Sequence, residues 1–436
     1  MQALPAYLPK FEPKPRLRVR TYTFGCKVNL ADTVSIESDL ERHSGVSILR
    51  DEKEPPDVVI VNTCTVTSSA DRQARQFLRK IHRKHPDSRI VVTGCYAQAD
   101  PKTLEGIEGV NSVIPIRDHY AIPAFLGLRR ATGEETAPTS HFAGRTRAFL
   151  KMQDGCNAYC SFCILPFIRG RSRSVPLEEL TKQAKAFEHA GFREIVLTGT
   201  HMGAFGRDLR PRVRISDALR EIVGTIPGLA IRVSSLEPAA LTPDLIRAVK
   251  ELPEIRPHFH VPLQSGSDRV LQRMNRKYRV ERYAERVQAL VQTRPRMGLG
   301  ADVMVGFPGE TGVDFEQTVE WIEKLPITFL HVFRFSARPG TRAATLDGAV
   351  SDADKYGRMK RLIDLGERKR RAFQASFIGS VQPVLVEKKR DEKGCLTGYT
   401  PHYVPVRLEG PDRLMENEID VRLNRSEGET LVGEAV

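Results

Sequence analysis

The sequence predicts an α/β protein in three parts: an open parallel α/β domain, a central full or partial parallel α/β barrel, and a small antiparallel β-barrel. Three observations predict this class. Buried β-branched runs alternate with amphipathic stretches up to about residue 127. Six further strand–helix units follow with a different pattern. The last sixty residues hold short strands broken by glycine and proline.

The first part begins with three candidate strands. "LRVRTYTF" alternates apolar and polar residues, and "DVVIVNT" and "SRIVVTG" are buried β-branched runs. A helix is predicted over 68–85, "SSADRQARQFLRKIHRKH". Because strands and helices alternate, we expect a parallel sheet with helices on its faces.

Each of these strands ends in a cysteine, and we call Cys26, Cys64 and Cys95 the N-terminal trio. Their separations are 38 and 31 residues, about one strand–helix unit each. Open parallel sheets bind ligands beyond the carboxyl ends of their strands. The sequence therefore predicts that the N-terminal trio meets at one edge of the sheet.

The central part follows a polar stretch with proline, "ATGEETAPTSHFAG", which is typical of a linker. Six strands are predicted, near 147–152, 194–199, 230–235, 258–263, 300–305 and 329–335. A basic helix is predicted over 354–377, and "VQPVLVEKK", "CLTGYTPHYVPVRLE" and "EIDVRLN" read as strands of the last part. The expected limits are 17–130 for the first domain, 131–146 for the linker, 147–375 for the barrel and 376–436 for the last module.

Composition indicates a soluble protein with a polyanionic partner. The formal net charge is +13 and the isoelectric point is near 9.5, a balance that favours nucleic acid as the partner. The N-terminus lacks the apolar run of a signal peptide, and no apolar stretch is long enough to span a membrane. We therefore expect a cytoplasmic protein, in which grouped cysteines indicate metal binding or catalysis before disulfides.

Three more cysteines lie within eight residues, in "DGCNAYCSFCILPFIRGRSRS", and we call Cys156, Cys160 and Cys163 the central trio. The spacing C-x3-C-x2-C differs from zinc knuckles and from bacterial ferredoxins. Three thiolates on a four-iron cluster leave one iron open to a small ligand with adjacent amino and carboxylate groups. A zinc site with a remote fourth ligand is the alternative. Cys395 stands alone and is interpreted as structural.

This stretch resembles the signature of the radical S-adenosylmethionine (SAM) superfamily, including the aromatic Phe162 before the last cysteine. The resemblance implies a [4Fe–4S] cluster that chelates SAM at the mouth of the barrel. Later strand ends would then contact the SAM amino, ribose, carboxylate and adenine groups. The residues in these positions are Thr198, Gly199, Ser235, Glu237, Gln264, Asp302 and Gly306.

The segments "TFGCKVN", "VNTCTVT" and "VTGCYAQ" resemble the N-terminal domain of the methylthiotransferases, a branch of that superfamily. This resemblance covers nearly the whole chain and implies a second [4Fe–4S] cluster, also with an open iron, and an RNA-binding TRAM-like module at the C-terminus. "GCKVN" is most similar to enzymes that act on N6-threonylcarbamoyladenosine beside the tRNA anticodon. Enzymes for isopentenyladenosine and for a ribosomal-protein aspartate are the alternatives, with Gln-Met and Pro-Lys where this chain has Lys27 and Val28.

The resemblance implies chemistry in two stages. One SAM methylates a sulfur at the N-terminal trio; another, at the central trio, is reductively cleaved to a 5′-deoxyadenosyl radical that removes the hydrogen at C2 of adenine. The expected partners are tRNA and an electron donor of the flavodoxin or ferredoxin type, while the sulfur source stays open.

A non-enzymatic iron–sulfur RNA binder is the alternative of a different class; it would produce no 5′-deoxyadenosine.

Two groups of arginines are candidate phosphate contacts, with solvated surface charge as the alternative. One group follows the central trio and the other forms a stripe on the predicted helix. They are Arg169, Arg171 and Arg173, and Arg72, Arg75 and Arg79. From Ser376 to the end there are eight Lys and Arg against eleven Asp and Glu, a net charge of −3. If the last module binds RNA, we expect it to use a local patch or residues such as Tyr399, His402 and Tyr403.

Overall fold

The computed structural model describes residues 16–51, 53–128 and 144–436. These residues divide into two compact units. The first unit contains the described residues up to 128 together with 154–158 and 163–171, and the second contains 144–153, 159–162 and 172–436. Residues 131–143 of the predicted linker lie outside the described residues.

The first unit is built on a five-stranded parallel sheet. Its strands are β1 (Leu17–Thr23), β2 (Val46–Ile48), β3 (Val58–Thr63), β4 (Arg89–Gly94) and β5 (Val110–Val113). Its helices are α1 (Lys27–Glu41), α2 (Ser68–Lys84), α3 (Cys95–Ala99), α4 (Pro101–Glu105), α5 (Ile122–Phe125) and α6 (Leu165–Arg169), with a 3-10 helix at Ile116–Ala121. The strand order is β2-β1-β3-β4-β5, and every pair is parallel. The predicted open parallel α/β fold is confirmed, with short edge strands at β2 and β5.

Both faces of this sheet are covered, which explains why β3 is buried at every position. Ile60 of β3 packs with Leu40 of α1 on one face, and Val59 packs with Leu78 of α2 on the other. Helix α2 begins where the Thr67 side chain accepts a hydrogen bond from the Ala70 N–H.

The central part of the second unit contains seven strands: the six predicted ones, and a further strand of two residues at Arg173–Ser174. Its strands are β6 (Ala148–Asp154), β7 (Arg173–Ser174), β8 (Glu194–Gly199), β9 (Ala230–Val233), β10 (His258–His260), β11 (Gly298–Val305) and β12 (Phe329–Arg334). Its helices are α7 (Leu177–His189), α8 (Ile215–Thr225), α9 (Pro243–Glu251), α10 (Asp268–Arg273), α11 (Val280–Val291), α12 (Gly312–Lys324) and α13 (Asp352–Ala375). Three-residue or four-residue 3-10 helices lie at Met202–Ala204, Pro238–Ala240, Arg342–Thr345 and Asp412–Leu414.

These seven strands form two sheets, β7-β6-β8-β9 and β10-β11-β12. Parallel bridges Ile231–Ile255 and Ser235–His260 continue the first sheet toward the second. The pairs β6–β8, β8–β9, β10–β11 and β11–β12 are all parallel. The predicted barrel is therefore a partial one, with its strands close to the predicted ranges.

The C-terminal module is a closed five-stranded barrel. Its strands are β13 (Val381–Arg390), β14 (Leu396–Tyr399), β15 (Pro405–Leu408), β16 (Glu418–Glu427) and β17 (Thr430–Ala435). Four pairings are antiparallel, as predicted, and β15 pairs with β17 in parallel. An odd number of strands cannot close with alternating directions throughout, so one parallel pair is required.

A buried ion network joins this module to β6, β8 and β9 within the second unit. The Glu194 carboxylate accepts from Arg147 Nε at 2.8 Å, Arg232 Nε at 2.8 Å and Arg256 Nε at 3.0 Å. Arg147 and Arg256 also pair with Glu387 and Glu418 of the C-terminal barrel. Burial opposes ionisation of Glu194, yet the three guanidinium groups lower its pKa well below the usual value.

Among the helices of the described ranges, none combines the length and the apolar character needed to cross a membrane.

Candidate active site

The N-terminal trio lies at the carboxyl edge of three adjacent strands in the first unit. Cys26 is the N-cap of α1, Cys64 directly follows β3, and Cys95 is the first residue of α3 after β4. Gly25 and Gly94 precede two of the cysteines, both with φ +100°. A Cβ at 25 would lie 2.7 Å from Cys64 Cβ, and one at 94 would lie 2.3 Å from the Thr63 carbonyl oxygen. Glycine is needed at both positions for the backbone to turn and approach this closely.

The side chain of Asn29 lies at the centre of the N-terminal trio. Its Oδ1 is 4.0 Å from Cys26 Sγ and 3.6 Å from Cys95 Sγ. Its Nδ2 donates to the carbonyl oxygens of Phe24 at 2.9 Å and Thr63 at 3.0 Å. Asn29 is fully buried, so these contacts hold the three cysteine-bearing turns together.

Arg169 joins this centre to the segment just before Cys156. Its Nη2 donates to Asn29 Oδ1 at 2.6 Å and to Asp32 Oδ2 at 2.8 Å, and its Nη1 donates to Asp154 at 3.1 Å. The Arg169 side chain is 2% exposed and that of Asp32 is 1% exposed. In place of the RNA contact predicted for it, Arg169 is a buried partner of two carboxylates. No local pattern predicts this pairing, because Asp32 is 137 residues from Arg169 along the chain.

The chemistry of the N-terminal trio fits a metal–sulfur group. Burial raises the pKa of the Cys64 thiol. Burial also raises the pKa of Cys95 to about 12, and the nearby Arg169 guanidinium opposes that rise. The two buried thiols therefore favour the protonated form until a cation replaces the proton. Cysteine thiolates are the ligands that hold iron–sulfur clusters, and the N-terminal trio offers three of them from adjacent strand ends.

The central trio is divided between the two units, so each member is described in its own unit. In the first, the Cys156 N–H donates to Gly170 O at 3.0 Å. In the second, Cys160 Sγ accepts from Arg276 Nη1 at 3.3 Å, and Arg276 Nε donates to the Tyr278 hydroxyl at 3.2 Å. Cys163, in the first unit, and Phe162, in the second, are partly buried. Arg276 thus places a positive charge beside a predicted cluster ligand.

The predicted SAM contacts begin at the end of β8. Thr198 is buried and Gly199 is the last residue of the strand. A Cβ at 199 would meet Gln153 O at 3.0 Å, and Gln153 Oε1 accepts from the His201 N–H at 2.7 Å. The backbone at this strand end is therefore tightly packed against β6.

Two more predicted contacts follow β9, and one follows β10. Ser235 is exposed, and Glu237 Oε2 lies 3.4 Å from His201 Nε2. Gln264 has φ +68° and a buried side chain. Its Oε1 accepts no hydrogen bond from the described residues. A buried acceptor without a partner is costly, so Gln264 fits a polar ligand at this strand end.

Two of the residues predicted to contact SAM, Gly306 and Asp302, are already bonded to other groups of the protein. The Gly306 N–H donates to the Glu310 carboxylate at 3.2 Å, and a Cβ at 306 would lie 2.2 Å from Lys355 Cγ. Asp302 Oδ1 lies 2.8 Å from His260 Nε2 and 3.3 Å from His331 Nδ1. The local geometry does not favour the SAM contacts predicted for these two residues.

The remaining predicted RNA contacts differ in exposure. Arg72, Arg79, Arg171 and Arg173 are exposed. Arg75 is half-buried, and its Nη1 donates to the Tyr96 hydroxyl at 2.7 Å. These positions stay predictions as RNA contacts.

The aromatic residues considered for RNA binding in the last module have partners within the second unit. The Arg147 guanidinium lies over Tyr399 at 5.2 Å, and that of Arg232 lies over Tyr403 at 4.6 Å. His402 lies 4.9 Å from the ring of Phe377. These rings help to join the C-terminal barrel to the partial barrel.

Sequence reasoning missed three residues of these sites: Asn29, Asp32 and Arg276. Asn29 and Asp32 lie three and six residues after Cys26, on successive turns of α1. A buried polar pair at helical spacing beside a cysteine was the available signal. Arg276 lies 116 residues from Cys160, and no local pattern joins them.

Two family models match the chain. One is described as "Radical SAM superfamily" and matches residues 150–322. The other is described as "Uncharacterized protein family UPF0004" and matches residues 18–115, which hold the N-terminal trio.

Curated relatives match over nearly the full length. "Threonylcarbamoyladenosine tRNA methylthiotransferase MtaB" of Bacillus subtilis (strain 168) is 36% identical, covering 93% of both chains. The protein of the same name from Aquifex aeolicus (strain VF5) is 33% identical over 90% of this chain and 97% of its own. "tRNA-2-methylthio-N(6)-dimethylallyladenosine synthase" of Geobacter metallireducens (strain ATCC 53774 / DSM 7210 / GS-15) is 32% identical, covering 94% and 97%.

Solved structures share the fold at low identity. The radical S-adenosylmethionine methyltransferase TsrM from Kitasatospora setae has a TM-score of 0.56 at 15% identity, covering 76% of this chain and 77% of its own. The cobalamin-dependent S-adenosylmethionine radical enzyme OxsB has a TM-score of 0.51 at 11% identity, covering 82% and 62%. These likenesses show the fold alone.

Proposed function

The chain belongs to the methylthiotransferase family of radical SAM enzymes, and we propose that it attaches a methylthio group to C2 of N6-threonylcarbamoyladenosine beside the tRNA anticodon. Membership in the superfamily implies [4Fe–4S] clusters and SAM. The substrate rests on the similarity of "GCKVN" to the threonylcarbamoyladenosine branch and on the names of the relatives. The three cysteines at adjacent strand ends carry the proposal, because the segments that hold them resemble the N-terminal domain of the methylthiotransferases and lie within the second family model, over residues 18–115.

We propose that the N-terminal trio and the central trio each hold one cluster. When bound, the clusters and SAM would supply a carbon radical and a methyl group and would hold the sulfur that is methylated, chemistry that no amino-acid side chain can supply. The chain's own residues bind and orient these groups. Asn29 and Arg169 hold the cysteine-bearing turns of the first unit, and Arg276 places its charge beside Cys160. Gln264 offers a buried acceptor to the SAM molecule.

Several finer assignments belong to the proposal. Arg72, Arg79, Arg171 and Arg173 are exposed and would contact phosphates of the tRNA. The electron donor would be a flavodoxin or a ferredoxin, and the protein would act in the cytoplasm on its tRNA. The domain limits given by the sequence, with the barrel over 147–375, are kept as part of the same proposal.

Nucleoside analysis of tRNA from cells lacking the protein tests the substrate. We expect loss of the 2-methylthio form of threonylcarbamoyladenosine, while the 2-methylthio isopentenyl form is retained. Loss of the isopentenyl form instead would assign the chain to the other tRNA branch. Unchanged tRNA together with an unmodified ribosomal protein would support the ribosomal-protein alternative, which the net acidic C-terminal module would suit.

Cysteine variants separate the two centres. Cys160→Ala should abolish reductive cleavage of SAM to 5′-deoxyadenosine under anaerobic conditions. Cys64→Ala should still form 5′-deoxyadenosine but make no methylthio product. Methylthiolated product from Cys64→Ala would refute this division of roles, and Cys395→Ala is the matched control that should retain both activities.

A further inference from the structure

Two histidines and an aspartate meet on the three-stranded sheet β10-β11-β12 of the second unit, outside both cysteine trios. His260 is on β10, Asp302 on β11 and His331 on β12. Asp302 Oδ1 lies 2.8 Å from His260 Nε2 and 3.3 Å from His331 Nδ1. The three candidate ligand atoms all lie within 4.8 Å of one another.

The strand register builds this cluster. Asp302 and His331 are direct partners across the parallel pair β11–β12, so their side chains lie on the same face. His260 is paired instead with Gly300, two residues before Asp302. A Cβ at 300 would lie 2.5 Å from His260 Nδ1, so the imidazole occupies the space that a side chain there would fill. The glycine allows the His260 ring to lean over β11 and reach Asp302.

The separations match those of a metal site. Ligands at about 2.0–2.2 Å from a tetrahedral Zn²⁺ lie about 3.3 Å from one another, close to both nitrogen–oxygen distances here. Burial opposes ionisation of Asp302, but hydrogen bonds from His260 and His331 lower its pKa to about 2. The carboxylate is therefore ionised at neutral pH, and an imidazole can offer a cation the lone pair of either ring nitrogen.

We propose that His260, Asp302 and His331 form a binding site for a divalent transition-metal ion, distinct from the two iron–sulfur centres. Three protein ligands leave at least one coordination position for water or a substrate atom, as in open zinc sites. The site is accessible to such a ligand, because the His331 side chain is 53% exposed and that of Asp302 is 20% exposed. Two imidazoles and one carboxylate suit Zn²⁺ or Fe²⁺ better than Mg²⁺ or Ca²⁺, which prefer oxygen ligands alone.

Zinc binding to the full chain with both clusters reconstituted tests this site. We expect the protein to retain about one Zn²⁺ per chain after gel filtration. X-ray absorption at the zinc edge should show only nitrogen and oxygen neighbours at about 2.0–2.2 Å, without sulfur at about 2.3 Å. Sulfur neighbours would place the zinc on the cysteines and overturn the proposal, as would a chain that retains no zinc.

Variants assign the zinc to these side chains. His331→Gln and Asp302→Asn should each reduce retained zinc at least tenfold while the iron content stays unchanged, which reports intact folding and clusters. Replacing His331 should disturb the fold less than replacing Asp302, because the His331 side chain is half exposed. His258→Ala, on the same face of β10 two residues earlier, is the matched control and should retain zinc. Equal zinc in His331→Gln and in His258→Ala would show that the histidines and Asp302 form only a hydrogen-bonded cluster, and would overturn the proposal. Because iron and 5′-deoxyadenosine are measured separately, this failure is distinct from failure of the proposed function.

Discussion

Arg169 and Asp32 form an ion pair, with Nη2 and Oδ2 separated by 2.8 Å and both side chains at most 2% exposed. Arg169→Met would leave the Asp32 carboxylate buried without its cation. Removing one partner of a buried pair costs about 3–5 kcal/mol. We therefore expect the first unit to lose stability and iron, measured by hydrogen exchange of β1, β3 and β4 amides and by iron content.

The matched control for this prediction is Arg171→Met. Arg171 is two residues further along and exposed, so its replacement should change stability by no more than about 0.5 kcal/mol. Equal protection of the β3 amides in both variants would contradict a structural role for the Arg169–Asp32 pair.

Arg276 and Cys160 make a second prediction, on cleavage of SAM. The Arg276 guanidinium donates to Cys160 Sγ at 3.3 Å and would stabilise the thiolate charge. Partners of metal ligands typically contribute about 10–100-fold to affinity or activity. Arg276→Leu should therefore slow 5′-deoxyadenosine formation by about tenfold or more, and Arg276→Lys should recover part of it. The exposed Arg279→Leu is the control; a rate in Arg276→Leu equal to that control would refute the role.

Glu194 should be critical for the second unit, because it is buried and paired with three arginines, of which Arg147 and Arg232 are also buried. Glu194→Gln removes the negative charge but keeps the shape, leaving the arginines to repel one another. We expect a loss of about 3–5 kcal/mol in the free energy of unfolding, measured by urea titration with circular dichroism. Glu188→Gln, at an exposed position of α7, should be near neutral. A wild-type midpoint for Glu194→Gln would mean that the network contributes nothing net.

His402 predicts a pH dependence of stability. Burial, with the positive charges of Arg296 and Arg232, lowers its pKa to about 4. In the unfolded chain a histidine takes up a proton below about pH 6.5. The unfolded state therefore binds more protons between these values, so stability is complete above about pH 6.5 and decreases as the pH falls toward 4. Since the ring is partly exposed, we expect a contribution of about 1–2 kcal/mol.

His402→Gln should flatten this part of the stability profile, measured by urea unfolding between pH 7 and 4.5. His189→Gln is the control, because the His189 side chain is 78% exposed. If the profiles of the two variants have the same slope, His402 is not the titrating group.

Much of the fold could be predicted because its signals are local. The apolar runs at 58–63 and 89–94 are β3 and β4, and the predicted helix over 68–85 is α2, which ends one residue earlier. The parallel pairing of β15 with β17 could not be foreseen without β17, whose range was not among the predicted strands. The strand count decides whether a closed barrel can be fully antiparallel.

The sequence by itself determined the order of the elements and the strand ends at which the six clustered cysteines lie. Hydrophobic periodicity and the direction of parallel strands are properties of short segments, so they can be read without the fold. Only the tertiary structure decided which charged side chains form ion pairs with one another. Arg169 and Asp32 are 137 residues apart. An RNA contact is predicted for Arg169 from the sequence because no local feature distinguishes it from Arg171. Likewise, the meeting of His260 with Asp302 and His331 depends on strand register and on the space above Gly300. Polar groups that are distant along the chain pair with one another because buried polar groups need hydrogen-bond partners, and they become buried only when the chain folds.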